Sequence, residues 1–549
     1  MNILGMYGGV HLGQHDPAAA LICDGKLVAV CEEERFVRIK SPRGYLPINS
    51  IQACLREGGL QMTEIDLIAH PGDTYQDMPE RIKLYLKHYF GHAPPIRMVN
   101  HQVAHMASAF YCSGFEQAMC LSYDAYGDRV SAALARGGLS SGIEVLETRE
   151  RHNSLGVFYA AMTSFLGFQV SEDEYKVMGL AAFGREGVDL SPFIRPADDG
   201  YWIDSSYLRP DFLDCTMFEP LYSEPLIDLL GPPRRSEEPI TQRHKDIAFA
   251  AQRSLEQSAT ALIEYLYTRT GLDCLCVAGG VGLNCSANLV IRRLPFVRQL
   301  FVQPAASDRG LALGCALQEA HERGALSGNS LDNVFKGPTY KADRIRDCLD
   351  LTGLNYVEVH DPELKAAQML AEGKIIGWYR GRSEFGPRAL GNRSILADPR
   401  NARMKDEINT RVKFREEFRP FAPSVLEERA SELFDMNEPS PYMTVAYPVG
   451  VSWRSRLQAV VHVNHTARVQ TVSASVSPGY HKLILEFCRL TGVPAVLNTS
   501  FNVRGQPIVE TPLDAISTFA ATGLDILFME NFMLTKGRAP KRQFLDEEA

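Results

Sequence analysis

At 549 residues the chain is too long for one hydrophobic core, and length alone suggests about two to four structural domains. A composition of 45% hydrophobic and 22% charged residues is that of a globular protein rather than a disordered chain. The formal net charge of -9 argues against a general nucleic-acid or acidic-membrane binder, so any anion site has to be a local basic pocket. The 12 cysteines are scattered, with none in a CxxC pair, and read as free thiols of a reducing compartment. There is no basic region ahead of an apolar run at the N-terminus and no apolar run long enough to cross a bilayer; the expected location is the cytoplasm.

In chain order, "NILGMYGG" reads as a strand, followed by a turn through His15 and Asp16, strand "AALICDG", a hairpin turn at Asp24-Gly25 and strand "KLVAVCEEERF". Apolar residues recur with helical spacing over 51–57 and 79–90, after which "IRMVNH" is a short strand. The next stretch, "HQVAHMASAFYCSGFEQAMCLSYD", opens on two histidines and ends an apolar strand at Asp124. "SLGVFYAAMTSFLGFQVSEDEYKVMGLAAFG" predicts a helix, a polar turn and a second, small-residue helix. Residues 185–243 are irregular and rich in Pro, Asp and aromatics, as expected of an inserted acceptor-binding or lid segment. Helix "HKDIAFAAQRSLEQSATALIEYLYTRTG" then leads through strand "CLCVAGG", turn "GGVGLN", a helix, strand "QLFVQP" and helix "GLALGCALQEAHERG", two strand-turn-helix units in succession. This alternation predicts an α/β fold. The polar, Gly/Pro-punctuated "GALSGNSLDNVFKGPTYK" is the best boundary and divides 1–335 from 336–549; no internal sequence repeat is visible.

His101 and His105 stand at i and i+4, on one helical face and within reach of a shared divalent ion. The spacing alone fits equally a helix with two hydrogen-bonded structural histidines. A zinc peptidase would need Glu after the first histidine, and Gln102 stands there. Asp124 at a strand end and Asp308 at a strand-to-helix turn sit where open α/β sheets place ligands, although Ser307-Asp308 also suits an N-cap. Two His and two Asp would suit Fe(II), Mn(II) or Zn(II). "AGGVGLN" offers bare backbone at Gly279 and Gly280 ahead of a helix. With the turn in "GGVHLGQHDPAAAL" and Lys40, it suggests a nucleotide cleft of the actin/hexokinase kind. In the second half, Arg382, Arg388, Arg393, Lys413, Arg415, Arg419, Arg468 and Arg504 fall in Gly/Pro/Asn-bearing loops. "FGPRALGNRS" and "FRPFAP" embed that charge among apolar residues, where a bound phosphate explains it better than solvent does.

Together these motifs resemble the O-carbamoyltransferases of nodulation-factor, cephalosporin and aminoglycoside biosynthesis. The resemblance is carried in family order by "HDPAAALICDGKLVAVCEEERF", "HQVAHMASAFYCSG", "SLGVFY", "KVMGLAAFG", "AGGVGLN", "ASDRGLALGCA", "EFGPRALGNRS", "REEFRPFAPS" and "LNTSFNVRGQPIV". It implies an N-terminal ASKHA (actin/hexokinase-like, threonylcarbamoyl-transferase-like) domain and a C-terminal YrdC-like α/β domain. It implies that carbamoyl phosphate and ATP, with Mg(II), give carbamoyl-adenylate in the C-terminal domain. A site holding Fe(II) or another divalent metal then passes the carbamoyl group to a hydroxyl of a small-molecule acceptor. The same resemblance makes His101, His105, Asp124 and Asp308 the metal ligands. Lys40, Leu155, Gly156, Gly280 and Asn284 correspond to carbamoyl-adenylate positions. Arg388, Lys413, Arg419, Arg468, Asn498 and Ser500 correspond to the ATP and carbamoyl-phosphate site. His15 and Lys40 are the expected catalytic groups, with His15 beside the acceptor. An enclosed path between two active sites requires a substantial buried interface. No nucleic-acid or membrane partner is expected, and a homodimer is compatible with the sequence. Two other readings are a tRNA threonylcarbamoyl-transferase-like enzyme, against which fusion of both domains and the negative charge count, and a non-enzymatic nucleotide-binding sensor with structural histidines.

Overall fold

The computed structural model describes residues 1–10, 14–209, 220–326, 331–416 and 418–538. A first sheet contains β1 (Asn2–Tyr7), β2 (Ala18–Cys23), β3 (Lys26–Glu32), β4 (Leu67–Pro71) and β5 (Ile96–Val99), in the order β3-β2-β1-β4-β5. β1, β2 and β3 pair antiparallel, and β4 and β5 run parallel to β1. A second sheet contains β6 (Gln117–Gly127), β7 (Val130–Gly138) and β8 (Gly142–Glu150); β9 (Ile194–Ala197) and β10 (Gly200–Ile203) form a separate hairpin, and β11 (Cys274–Ala278) and β12 (Gln299–Val302) complete the second sheet. Its order, β12-β11-β6-β7-β8, and its strand directions reproduce those of the first. This duplicated arrangement is the actin/hexokinase-like architecture. The repeat is one of topology, which explains why no repeat is visible in the residues.

The helices of this part are α1 (Glu33–Val37), α2 (Ile48–Gly58), α3 (Met78–Phe90), α4 (His101–Ser113), α5 (Leu155–Phe165), α6 (Glu174–Ala181), α7 (Glu224–Leu230), α8 (Gln242–Thr270), α9 (Cys285–Arg292) and α10 (Leu311–Glu322). α4 starts where the Asn100 side chain accepts from the Gln102 and Val103 amides, and it ends at left-handed Gly114. α4 and α10 each follow the last parallel strand of their sheet, and they pack on each other. Gly314 makes that seam close, since a Cβ there would lie 1.8 Å from the Ala104 carbonyl oxygen. The seam fixes the first turn of α4 relative to the turn before α10, and with it the spacing of His101 and His105 from Asp308.

After residue 341 the chain builds another sheet from β13 (Leu354–Glu358), β14 (Ile376–Tyr379), β15 (Arg393–Ala397), β16 (Ala422–Leu426), β19 (Gln470–Val472), β20 (Ala495–Ser500), β21 (Ile526–Met529) and β22 (Phe532–Arg538). Its order among the described residues is β13-β22-β21-β14-β15-β20-β16-β19, while β17 (Ala446–Pro448) and β18 (Thr466–Arg468) pair separately. This sheet has its own core around Trp378, Phe487, Phe519 and Phe528. Phe385, Leu390, Ala422 and Met443 instead join a core with residues of β1, β2, α4 and α10. Arg35 donates to the Gly386 carbonyl at 2.8 Å, Arg38 to that of Ile508 at 2.7 Å, and Asn288 to that of Thr444 at 2.8 Å. The buried contact expected between the two halves is therefore present.

Several expectations are corrected. β3 ends at Glu32, and "EERFV" is the short helix α1. The strand expected to end at Asp124 runs on to Gly127 through a break in register between Tyr123 and Gly127. β7 and β8 were not anticipated; the turn that joins β6 to β7 uses Asp128 and Arg129, both at positive φ, in place of glycine. Residues 185–243 were expected to form an inserted acceptor-binding or lid segment, with the acceptor recognised there and around the N-terminal turn. Their described part holds β9, β10 and α7 and packs Phe193, Ile194, Tyr201 and Leu226 into the core around α8, and no described residue of it lines the main cavity. Residues 11–13 and 210–219 lie outside the described residues. The eleven described cysteines are free thiols, and no helix among the described residues is long and apolar enough to cross a membrane.

Candidate functional site

His101 and His105 occupy the first two turns of α4 with ring centroids 4.8 Å apart. Asp124 lies in the irregular stretch of β6, where the bulge turns its carboxylate toward them: its Oδ2 is 3.2 Å from His105 Nε2 and 3.6 Å from His101 Nε2. Asp308 is 3.5 Å from His105 Nε2 and 3.7 Å from His101 Nε2. Ser307, not Asp308, holds the N-cap position of the following turn and makes no side-chain cap bond, so the N-cap alternative does not account for Asp308. One donor atom from each of the four residues lies within 4.8 Å of all the others.

The surroundings orient these donors. Tyr7 OH, at the end of β1, donates to Asp308 Oδ2 at 2.6 Å. The Gly280 amide donates to Asp124 Oδ1 at 3.1 Å, and a Cβ on Gly280 would lie 2.8 Å from that oxygen. Asp128 accepts from the His101 amide at 2.7 Å. At Gly127 a Cβ would fall 2.2 Å from the His101 ring. His101 Nε2 is buried without a hydrogen-bond partner among the described residues. An orphaned ring nitrogen facing two oriented carboxylates is what a divalent ion with mixed N and O ligands requires, so the residues present fit the implied metal. Burial opposes charge on His105, but the carboxylates of Asp124 and Asp308 outweigh it and raise the ring to about 9. Burial also works against the Asp124 carboxylate, and the two histidine rings nevertheless hold it well below the usual range.

His15 lies beside this cluster, its Nε2 3.9 Å from Asp308 and its Nδ1 3.5 Å from Asp16. Burial would lower it, yet Asp16 and Asp308 raise it to about 9. Arg309 bridges Asp16 at 3.2 Å and Glu34 at 3.0 Å. Tyr7, Asp16 and Arg309 were not expected from the sequence; single residues beside a motif carry no spacing signal of their own.

Asp124, Asp308, His15, Asp16 and Arg309 face a cavity of about 480 Å³ that also reaches Lys40, Gly156, Gly280, Asn284, Arg388, Lys413, Arg419, Arg468, Asn498 and Ser500. Of the expected positions, Leu155 is the exception: its side chain is in the core, and only its neighbour Gly156 lines the space. Asn284 has a second duty, capping α9 through the Ala287 amide at 3.0 Å. At the far end Lys413 Nζ, on a one-turn π-helix (Asn409–Lys413), donates to Asn502 Oδ1 at 2.7 Å and to the Ser500 carbonyl. Among the described residues Arg388, Lys413, Arg415 and Arg468 have no carboxylate partner. Burial, then the charge of Arg468, lowers Arg388 to about 9; burial, then Arg415 and Arg419, pushes Lys413 well below the usual lysine range. Asn498 Oδ1 and Arg468 Nε are buried without partners. Such a set of unpaired cations is a place for phosphate oxygens.

Two of the loop arginines do not belong to it. Arg393 is fully buried over the Tyr379 ring at 3.7 Å and donates to the Arg380 carbonyl at 2.7 Å. Arg382 donates to the carbonyls of Gly337 and Lys336 at 2.7 Å and Val28 at 2.8 Å. Carbonyl oxygens and the carboxylates of Glu510 and Glu57, each 3.8 Å from its arginine, engage the two guanidinium groups, and neither lines the cavity.

Family profiles agree with this geometry. The Carbamoyltransferase N-terminus profile matches residues 6–89 and 73–317, and the Carbamoyltransferase C-terminus profile matches residues 367–536. The chain belongs to the carbamoyltransferase family. Nodulation protein NolNO of Sinorhizobium fredii is 40% identical over 96% of this chain and 79% of its own length. An uncharacterized Synechocystis protein is 37% identical over 97% of each. Among solved structures, full-length HypF in its phosphate- and nucleotide-bound form aligns with TM-score 0.36 and 14% identity, over 60% of this chain and 56% of that one. This carbamoyltransferase thus carries both family regions in one chain, with the cavity lined from both.

Proposed function

We propose that the protein is an ATP-dependent O-carbamoyltransferase that makes carbamoyl-adenylate from carbamoyl phosphate and ATP. It then transfers the carbamoyl group to a hydroxyl of a secondary metabolite such as a sugar, aminoglycoside, polyketide or alkaloid. The observation that carries the reading is a cavity that reaches, at one end, Arg388, Lys413, Arg415 and Arg468, which have no carboxylate partner among the described residues, and, at the other, Asp124 and Asp308 of the two-histidine, two-aspartate cluster. In this reading residues 1–335 perform transfer and residues 336–549, the YrdC-like part, perform activation.

A carbamoyl group is a weak electrophile because its nitrogen donates into the carbonyl, and a mixed anhydride with AMP supplies the leaving group it lacks. Water first hydrolyses carbamoyl phosphate, breaking the bond between phosphorus and the bridging oxygen to give carbamate and inorganic phosphate; a carbamate oxygen then attacks the α-phosphorus of ATP, carried with Mg(II), and pyrophosphate leaves. Arg388, Lys413, Arg419 and Arg468 neutralise the phosphate oxygens, and Asn498 and Ser500 supply neutral polar contacts. At the other end the acceptor oxygen attacks the carbamoyl carbon and AMP leaves. Lys40 holds the AMP phosphate, and the bare backbone at Gly156 and Gly280 admits the adenylate. His15, in the neutral form that its neighbouring carboxylates make the minor one near pH 7, is the group we assign to receive the acceptor proton. A divalent ion, Fe(II) in this reading, held by His101, His105, Asp124 and Asp308 supplies Lewis-acid polarisation of the carbamoyl or phosphoryl oxygen.

The test is incubation of the purified chain with carbamoyl phosphate, ATP and Mg(II), following pyrophosphate exchange into ATP, and a mass screen of alcohols for the gain of one carbamoyl group. Exchange that depends on carbamoyl phosphate is expected; conversion of ATP to AMP that needs threonine and bicarbonate instead would assign the tRNA-modifying class.

A further inference from the structure

We propose that Tyr175, together with the Lys176–Glu416 ion pair, forms a waist between the two ends of the cavity and keeps water from the activated carbamoyl group during its passage. The inference rests on the functional reading above.

Tyr175 is the second residue of α6 and lines the cavity. Its ring carries a cation from each end: Lys40 Nζ at 5.6 Å and the Arg419 guanidinium at 4.4 Å. Lys40 belongs with the charge group of Glu34 and Arg309, next to ligand position Asp308. Arg419 belongs with Arg388, Lys413, Arg415 and Arg468. A single aromatic ring therefore spans the step from one cluster to the other, with both contacts of the cation–π kind.

The next residue locks it in place. Lys176 is buried, yet its ammonium is paired twice, with Asp173 at 2.8 Å and with Glu416 at 3.0 Å. Glu416 comes from the arginine end, where it also meets Arg504 at 3.3 Å and Arg419 at 3.6 Å. Burial acts to raise Glu416, and the bonds from its own backbone and Lys176 pull it down to about 2. One carboxylate thus ties a lysine of the transfer end to two arginines of the activation end. Removing one partner leaves Lys176 with Asp173, or Glu416 with Arg504 and Arg419, and removes the ion pair that joins the start of α6 to Glu416.

The leak that the waist suppresses is attack of water on the carbamoyl carbon. A new carbon–oxygen bond forms, the bond to the AMP phosphate oxygen breaks, and AMP, carbamate and a proton are released. Closing a site against water is an established way of preventing such side reactions.

The experiment uses the full chain with carbamoyl phosphate, ATP and Mg(II) and no acceptor, measuring AMP release and pyrophosphate exchange side by side. Wild type is expected to exchange pyrophosphate while releasing AMP slowly. Glu416→Gln and Tyr175→Ala are expected to release AMP about tenfold faster with exchange held within about twofold, while Tyr175→Phe, which keeps the ring, behaves as wild type. Lys176→Met repeats the first result from the other side of the pair. The proposal is overturned if AMP release stays at the wild-type level in Glu416→Gln and Tyr175→Ala, or if exchange falls in step with any change in AMP release. Absence of carbamoyl-phosphate-dependent exchange in wild type would instead remove the functional reading itself and the waist with it.

Discussion

The two ends of the cavity handle charge in opposite ways. At the transfer end, Asp308 has His105 at 3.5 Å, His101 at 3.7 Å and His15 at 3.9 Å, with a hydroxyl donor at 2.6 Å. At the activation end, Arg388 and Lys413 have no carboxylate partner among the described residues, and burial works against the charge of each. The first end is built on the start of a helix, a strand bulge and a strand-to-helix turn, so its donors are rigid before anything binds. The second takes Lys413 from a π-helix, Arg468 from the end of β18, Asn498 and Ser500 from β20 and Arg388 from a loop. A site of oriented donors suits fixed geometry; under-neutralised cations suit capture of phosphate.

The largest effects should separate the ends. His101→Ala removes a ligand position, and we expect a loss of transfer on the order of 10²–10³-fold together with loss of bound metal by elemental analysis, while carbamoyl-phosphate-dependent pyrophosphate exchange persists. Arg388→Ala is the mirror image: exchange falls by about 10²-fold with metal content unchanged. If either variant lowers both activities equally, the ends are not separate compartments.

A finer test concerns preorganisation at the transfer end. Tyr7→Phe deletes only the hydroxyl that orients Asp308, and a metal affinity lower by about 10–100-fold is expected in competition with a chelator. Unchanged affinity would mean that α4 and the β6 bulge alone fix the site.

What could be read from the residues follows the same division. The i, i+4 spacing of His101 and His105 and the expected strand-end places of Asp124 and Asp308 made a shared site readable as one of two alternatives; the family resemblance named the four together, and the structure brings their donor atoms within 4.8 Å of one another. The bulge that aims Asp124 was not legible, since the β6–β7 turn uses Asp128 and Arg129 at positive φ where glycine would have announced a hairpin. That turn residue is also functional, holding the His101 amide. The loop arginines were legible as a group only. Arg382 and Arg393 share the composition of their neighbours, and carbonyl groups brought in by the tertiary fold claim them. The duplicated sheet order was invisible because topology is conserved by backbone pairing and leaves the side chains free to diverge.

The smallest expected effect is a pH signature along the wall joining the ends. Glu174 lines the cavity one residue before Tyr175, and burial raises its carboxyl to about 7 although its own backbone amide and that of Ser171 pull the other way. An acid raised in the folded state binds more protons there than in the unfolded chain between about pH 4.5 and 7, so stability falls as pH rises through that window. Glu174→Gln removes the ionisation without removing the side chain's volume. The variant and wild type should therefore match most closely in melting temperature near pH 4.5, and the variant should gain by pH 8. An equal offset at both pH values would mean that Glu174 is already ionised throughout, held by charges nearer the transfer end.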